Sequence, residues 1–248
     1  MNKFKNIIKQ ISLFLLRPLK LKICSIRNNE VCGLDLFKEL GLMINVKSPM
    51  VFDVGANIGQ TVDSIRKVFP KAIIHSFEPS KDTFGVLINN FQEDNKFFAH
   101  NFALGETQCI REFINYPNSC LSSFLDIDPN PSNRYRDVRE ERREEVVIKT
   151  LDNFVKTQKI DYINLLKVDT QGFDLQVLKG AKETFNAGII EFVLIEENFE
   201  KIYKNQSCAH EIAKFLAENG LFLIDFYEKV RVRDGNVLAW CTALYGRR

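Results

Sequence analysis

From residue 50 onward the chain alternates short apolar, β-favouring runs with amphipathic helical stretches, and this alternation constrains the fold more than any other feature. The predicted strands are Met50–Val54, Ala72–Phe77, Lys96–Ala99, Val146–Ile148, Tyr162–Val168 and Ile189–Ile195. Helices are predicted from Gln60 to Val68, after Ser80, over Leu151–Thr157, within Gly172–Phe185 and over Ala209–Asn219. Several of the strands are near-continuous apolar runs instead of alternating, as expected when helices cover both faces of a parallel sheet. The expectation is a doubly wound α/β sheet. Phe222–Tyr227 and Val237–Tyr245, joined through Asp234-Gly235-Asn236, read as a closing hairpin that adds an antiparallel edge.

In such sheets ligands bind beyond the carboxyl ends of the strands. The first strand ends in Asp53-Val54-Gly55-Ala56-Asn57-Ile58-Gly59 before a helix begins. Glycines there let the backbone approach a ligand closely. Dinucleotide sites place three glycines at G-x-G-x-x-G spacing to seat a pyrophosphate on the helix N-terminus. Here the third position of the motif is Asn57, and the spacing is Gly55-x-x-x-Gly59. That favours a cofactor without a pyrophosphate, such as S-adenosylmethionine, over a nicotinamide or nucleotide-sugar site. Glu78 ends the second strand, about 20 residues past the glycine turn, where an acid can accept hydrogen bonds from ribose hydroxyls. Asp53, Gly55, Asn57, Gly59 and Glu78 are therefore the candidate cofactor-binding end.

With these motifs the sequence resembles the FkbM-type methyltransferase family. The resemblance rests on VFDVGANIGQT (51–61), SFEP (76–79), NFALGE (101–106), KTLDNF (149–154) and LLKVDTQGFDLQVLKGA (165–181), in order over about residues 50–196. It implies the class I methyltransferase (Rossmann-like) fold and S-adenosylmethionine-dependent methylation of hydroxyl oxygens, in the setting of polyketide, glycolipid or surface-glycan synthesis. It also implies that Gly55, Asn57 and Gly59 line the methionine part of the cofactor and Glu78 the ribose. Asn101, Ala103 and Leu104 would border the adenine, and Lys167–Gly172 would lie below the transferable methyl. Two positions depart from the commoner pattern: Gln171 replaces a frequent glutamate, and Asp174 replaces a longer acid. If that glutamate is the base elsewhere in the family, Gln171 does not replace it.

Methyl transfer needs an acceptor oxygen aligned with the sulfonium methyl and a group to take its proton. Asp169 ends a central strand and is the first candidate for that role, with holding the cofactor or capping the next helix as its equal alternative. Glu196 is the second catalytic candidate, with Glu197 beside it. Asp169 with Glu196 could also hold a divalent cation, though no sequence motif calls for a metal. His75, His100 and His210 read as structural, and Asn118–Ser123 as either a lid over the acceptor or an ordinary surface loop.

The remaining features narrow the partner class. Residues 1–29 carry seven basic residues and no acid, which leaves 27 basic and 32 acidic residues in the body. A mildly acidic body argues against a nucleic-acid substrate. Residues 134–145 carry five arginines against five acids and read as a solvated helix or strand edge laced with ion pairs. The leader's apolar residues recur at helical spacing. Residues 1–48 read as a helical extension that packs on a neighbour or rests residues 1–23 on an anionic membrane surface, and residues 49–248 as the methyltransferase domain. The leader's apolar run is too short to span a bilayer or to act as a signal peptide, so the expected location is the cytoplasm, at most at the inner face of the membrane. The six cysteines show no C-x-x-C spacing, so neither a zinc site nor a redox motif is expected. The expected partner is a small-molecule or glycan hydroxyl acceptor. A non-catalytic cofactor-binding or scaffold protein built on the same fold is the alternative reading.

Overall fold

The computed structural model describes residues 35–130, 132–232 and 237–247. The basic leader with its amphipathic pattern, Cys24, Cys32 and the Asp234-Gly235-Asn236 turn lie outside the described residues.

Three units follow one another in the first half. Helix α1 (Leu36–Met43) precedes β1 (Met50–Val54), α2 (Gln60–Val68), β2 (Ile73–Phe77), α3 (Lys81–Asn90) and β3 (Phe97–His100). A small three-stranded sheet comes next, from β4 (Ala103–Leu104), β5 (Cys109–Asn115) and β6 (Arg142–Lys149), with a 3-10 turn at Ser119–Leu121. The second half returns to alternation with α4 (Leu151–Gln158), β7 (Ile163–Val168), α5 (Asp174–Lys179), α6 (Lys182–Asn186), β8 (Ile190–Asn198), α7 (Ala209–Glu218), β9 (Leu221–Arg231) and β10 (Leu238–Arg247).

The main sheet has the order β3-β2-β1-β7-β8-β10-β9. The first five of these strands are mutually parallel, and β10 pairs antiparallel to both β8 and β9. The closing hairpin is present, but its antiparallel member is not the edge. The final strand slots between β8 and β9, so β9 takes the edge and runs in the direction of β8. The chain runs outward from β1 to β3 and then returns to β7 on the other side of β1. This reversal opens a crevice at the carboxyl ends of β1 and β7.

The continuous apolar strands are explained by burial on both sides. Phe52, Leu166 and Val193 face one core with Leu151, Phe154, Val177 and Leu216 of the helices. Their chain neighbours Val51, Leu165 and Leu194 face the other core with Leu36, Leu40, Val62 and Ile65. Helix α1, capped by Asp35 through the Lys38 amide, is thus part of this core. The compact unit begins at Gly33, before the boundary expected at residue 49. Of the two readings of the charged run, Arg142–Glu145 take the strand: they start β6, and Arg143 bridges Asp126 and Glu140. Among the described residues Cys109, Cys120, Cys208 and Cys241 are free thiols.

His75 in β2 and His100 at the end of β3 stack in parallel, ring centroids 5.3 Å apart, with Nδ1 and Nε2 at 3.0 Å. Phe77, Phe98, Phe102 and Phe154 surround them. Burial in this aromatic nest pushes both imidazoles down to about 4. An unfolded histidine titrates near 6.5, so the unfolded chain takes up protons first as the pH falls. The stability held by the neutral pair is complete above about pH 6.5 and is lost progressively down to about pH 4. In urea titrations across that window, His100→Phe is expected to make the pH dependence shallower by up to about one proton. An unchanged slope would mean that the pair does not titrate this way.

Candidate active site

The glycine turn is built by collisions that only glycine avoids. Gly55 follows β1 at φ +76°, and a Cβ there would lie 1.9 Å from the Asp169 carbonyl oxygen. Gly59, at φ +98°, would place a Cβ 2.1 Å from the Phe91 ring. Asn57 between them is also left-handed, at φ 50°. The amides of Gly55 and Ala56 donate to the Phe77 carbonyl at 3.0 and 3.1 Å, which ties the turn to the end of β2. Glu78 continues that tie. Its Oε2 accepts from the Asn57 amide and its Oε1 from the Ser80 amide, both at 2.9 Å. Burial pushes this carboxyl up to about 7 although both amide bonds favour its ionised form. Asn101 braces the same corner from outside, donating from Nδ2 to the carbonyls of Glu78 and Pro79 at 3.0 Å.

Asp53 and Lys167 are register partners on the adjacent parallel strands β1 and β7. The Lys167 ammonium lies 3.0 Å from Asp53 Oδ1, 3.7 Å from Asp169 Oδ2, and donates to the Gly55 carbonyl at 3.1 Å. Burial works against its charge, but the carboxylates of Asp53 and Asp169 outweigh that and hold its pKa above the usual lysine value. Asp53 itself is fully buried and, among the described residues, accepts no other hydrogen bond. Its contact with the site therefore runs through Lys167. The sequence carried a signal for this pair: a lysine inside an otherwise apolar strand, opposite an aspartate inside another.

Asp169 leaves β7 pointing into the crevice, with its side chain 34% exposed. Gln171 Nε2 donates to Asp169 Oδ1 at 2.7 Å, and Gln171 Oε1 lies 3.1 Å from the Tyr203 hydroxyl. The residue at the departing position is thus an amide that holds the aspartate. Asp174, buried, accepts from the Thr170 amide and hydroxyl at 2.8 Å and from the Gly172 amide at 3.1 Å. Its short side chain pins the turn at the start of α5. Along β8, Glu196 faces the crevice side and accepts from Asn198 at 3.1 Å. Burial, and then the charge of Asp169, push Glu196 up to about 8. Glu197 points the other way and is bound by the Tyr245 hydroxyl, which gives it a structural role.

These groups line two adjoining cavities. The first, of about 230 Å³, brings together Gly55, Asn57, Glu78, Ala103, Leu104 and Asp169, with Phe77, Phe113, Phe124 and Phe173 as apolar walls. Of the candidate cofactor residues, Asp53, Gly59 and Asn101 do not line it; they shape the turn and the corner that do. Ser119 and Cys120 cover it, and the Ser119 hydroxyl donates to Asn57 Oδ1 at 3.1 Å. This segment was readable only as a lid or a loop, and the Tyr203 hydroxyl, 2.9 Å from the Leu121 carbonyl, helps to fix it. The second cavity, of about 210 Å³, holds Glu196 and shares Gln60, Thr61, Lys167 and Asp169 with the first. Among the described residues no group of three or more His, Cys, Asp or Glu is arranged to hold a metal ion.

Residues 53–222 match the methyltransferase FkbM domain, which is more than half of the chain. The chain belongs to the FkbM methyltransferase family. It is 30% identical over 149 residues to the hexuronic acid methyltransferase AglP of Haloferax volcanii, covering 59% of this chain and 55% of that protein. It is 22% identical over 182 residues to the 2-O-methyltransferase NoeI of Sinorhizobium fredii, covering 70% and 73%. The crystal structure of the methyltransferase FkbM from Methylobacillus flagellatus KT superposes with a TM-score of 0.53 at 16% identity, over 81% of this chain and 44% of that one. The chain thus spans about half the length of AglP and less than half of that crystallised protein. The strand order and the matched domain together make this a class I, Rossmann-like methyltransferase fold. The matched region begins at Asp53 and ends at Phe222, so α1 and β10 lie outside it.

Removing one partner of a buried ion pair leaves an uncompensated charge, at a cost of about 3–5 kcal/mol. Lys167→Met is expected to lower unfolding stability by that order, and adding Asp53→Asn to restore part of the loss. A double-mutant cycle by chemical denaturation reads this coupling. Strictly additive effects would show that the two residues do not act as a pair.

Proposed function

We propose that this chain transfers the methyl group of S-adenosylmethionine to a hydroxyl oxygen of a sugar or a glycan precursor. The observation that carries the reading is the single cavity in which the glycine turn, Glu78 and Asp169 meet at the switch point of the sheet. The residues suit the cofactor's chemistry. Each Glu78 oxygen accepts one backbone amide and retains a lone pair for a ribose hydroxyl. Leu104 and the phenylalanines give an apolar slot for a base ring, and the Asn57 turn together with Ser119 gives polar groups for the amino-acid end. The activities for which AglP and NoeI are named, methylation of a hexuronic acid and 2-O-methylation, support an oxygen on a sugar as acceptor.

When bound, S-adenosylmethionine supplies an electrophilic methyl, so the protein's task is alignment and removal of one proton. Asp169 can accept a hydrogen bond from the acceptor hydroxyl through Oδ2 while Gln171 holds Oδ1. Lys167 keeps positive charge beside that carboxylate. Glu196, in the adjoining cavity, is the next group able to receive the proton.

With methyl-labelled S-adenosylmethionine and a panel of glycosides, labelled ether product is the expected outcome. Asp169→Asn is expected to lower the rate about 10²–10⁴-fold, the usual worth of a positioned acid–base group. Because Glu196 is held protonated up to about pH 8, the rate should rise with pH to a plateau above about 8, and Glu196→Gln should lose that limb. A full rate in Asp169→Asn would remove the aspartate from the chemistry. Cofactor binding without transfer to any hydroxyl would favour the non-catalytic alternative.

A further inference from the structure

The second cavity differs from the first in its charge. It lies beyond Asp169, over the carboxyl ends of β7 and β8, and reaches Glu228 of β9 and Thr242 of β10. Because Gln60, Thr61, Lys167 and Asp169 border both cavities, a group in the second meets a group in the first at Asp169. That position suits the acceptor, with the cofactor in the first cavity. Leu36 and Phe37 of α1 give the second cavity an apolar flank against which the C–H face of a sugar ring can pack.

Among the described residues the lining carries Asp169, Glu196 and Glu228 against one cation, Lys167, whose charge is already matched by Asp53 at 3.0 Å. Glu228 is held in place by the Thr242 hydroxyl, which donates to its Oε2 at 2.8 Å. Removing a proton from a hydroxyl needs one carboxylate. Glu196 stays neutral near pH 7, and Glu228 beside Asp169 leaves the cavity with negative charge that Lys167 does not compensate, which repels a carboxylate or a phosphate and attracts an ammonium group. A cation bound here also favours ionisation of Glu196, which burial and then the charge of Asp169 hold protonated.

Building on the methyltransferase reading above, we infer that the second cavity is the acceptor site and that its acceptor is a sugar bearing a free amine, in contrast to the hexuronic acid named for AglP. Leu36, Phe37, Glu228 and Thr242 of this lining lie outside the region matched to the family domain, and Asp169 and Glu196 lie within it.

The test uses the full-length protein loaded with S-adenosylhomocysteine and three matched probes: the methyl glycosides of glucosamine, glucose and glucuronic acid. Binding is read by calorimetric titration at pH 7. The amine is expected to bind at least about 10-fold more tightly than the neutral sugar, and the uronate not measurably. Glu228→Gln is expected to shrink the amine's advantage at least about threefold while leaving S-adenosylhomocysteine affinity unchanged. Equal binding of amine and neutral sugars, preferred binding of the uronate, or no binding of any probe to the loaded protein would each overturn the inference. A protein that does not take up S-adenosylhomocysteine fails at the earlier step, and that result counts against the methyltransferase reading itself.

Discussion

The site depends on one buried contact, the ion pair between Asp53 and Lys167 across β1 and β7. These strands flank the point where the sheet reverses its winding, so a cation there reaches everything that converges on the crevice. One ammonium group neutralises Asp53, donates to the Gly55 carbonyl at the start of the glycine turn, and lies beside Asp169 at the end of β7. Desolvating both charges is costly, and the pair is tolerated because each partner is the other's counterion. The pair sets the glycine turn and the candidate base in a fixed relation while the cavity above stays open.

Around that centre the molecule separates two environments. On one side Glu78 is held by two backbone amides within aromatic walls, which suits a large ligand with an apolar ring and vicinal hydroxyls. On the other, Glu196 and Glu228 form a more acidic space that α1 closes. Asp169 borders both and is shared between them, and Gln171 orients it without adding a second negative charge. A glutamate at position 171 would stand within contact of Asp169 and compete with it for the same proton. The departure from the commoner motif is therefore compatible with a single working carboxylate.

Much of this was legible in the sequence because it is local. Strands buried on both faces are largely apolar, and Phe52 and Val51 show why, since they face opposite cores. Gly55, Gly59 and Glu78 were legible because a strand-to-helix turn with an acid one strand later has few other uses. The features that were not legible depend on distant contacts. Helix α1 looked like part of an extension because nothing near Leu36 and Leu40 reveals the Val62 and Ile65 they pack against. The order of the two strands within the closing hairpin was not legible, because a hairpin's sequence does not say which member pairs with β8. Tyr203, more than 30 residues from Gln171, has no sequence mark tying it to that amide.

The central claim is that the cavity at the glycine turn is a site for S-adenosylmethionine with Glu78 as its ribose anchor. Calorimetric titration of S-adenosylmethionine and S-adenosylhomocysteine into the purified protein, beside Glu78→Ala, tests it most directly. The account predicts micromolar binding of both ligands, weakened at least about 10-fold by the substitution, in a variant whose circular dichroism remains that of the folded protein. Absence of binding to either ligand by the folded parent protein would contradict it.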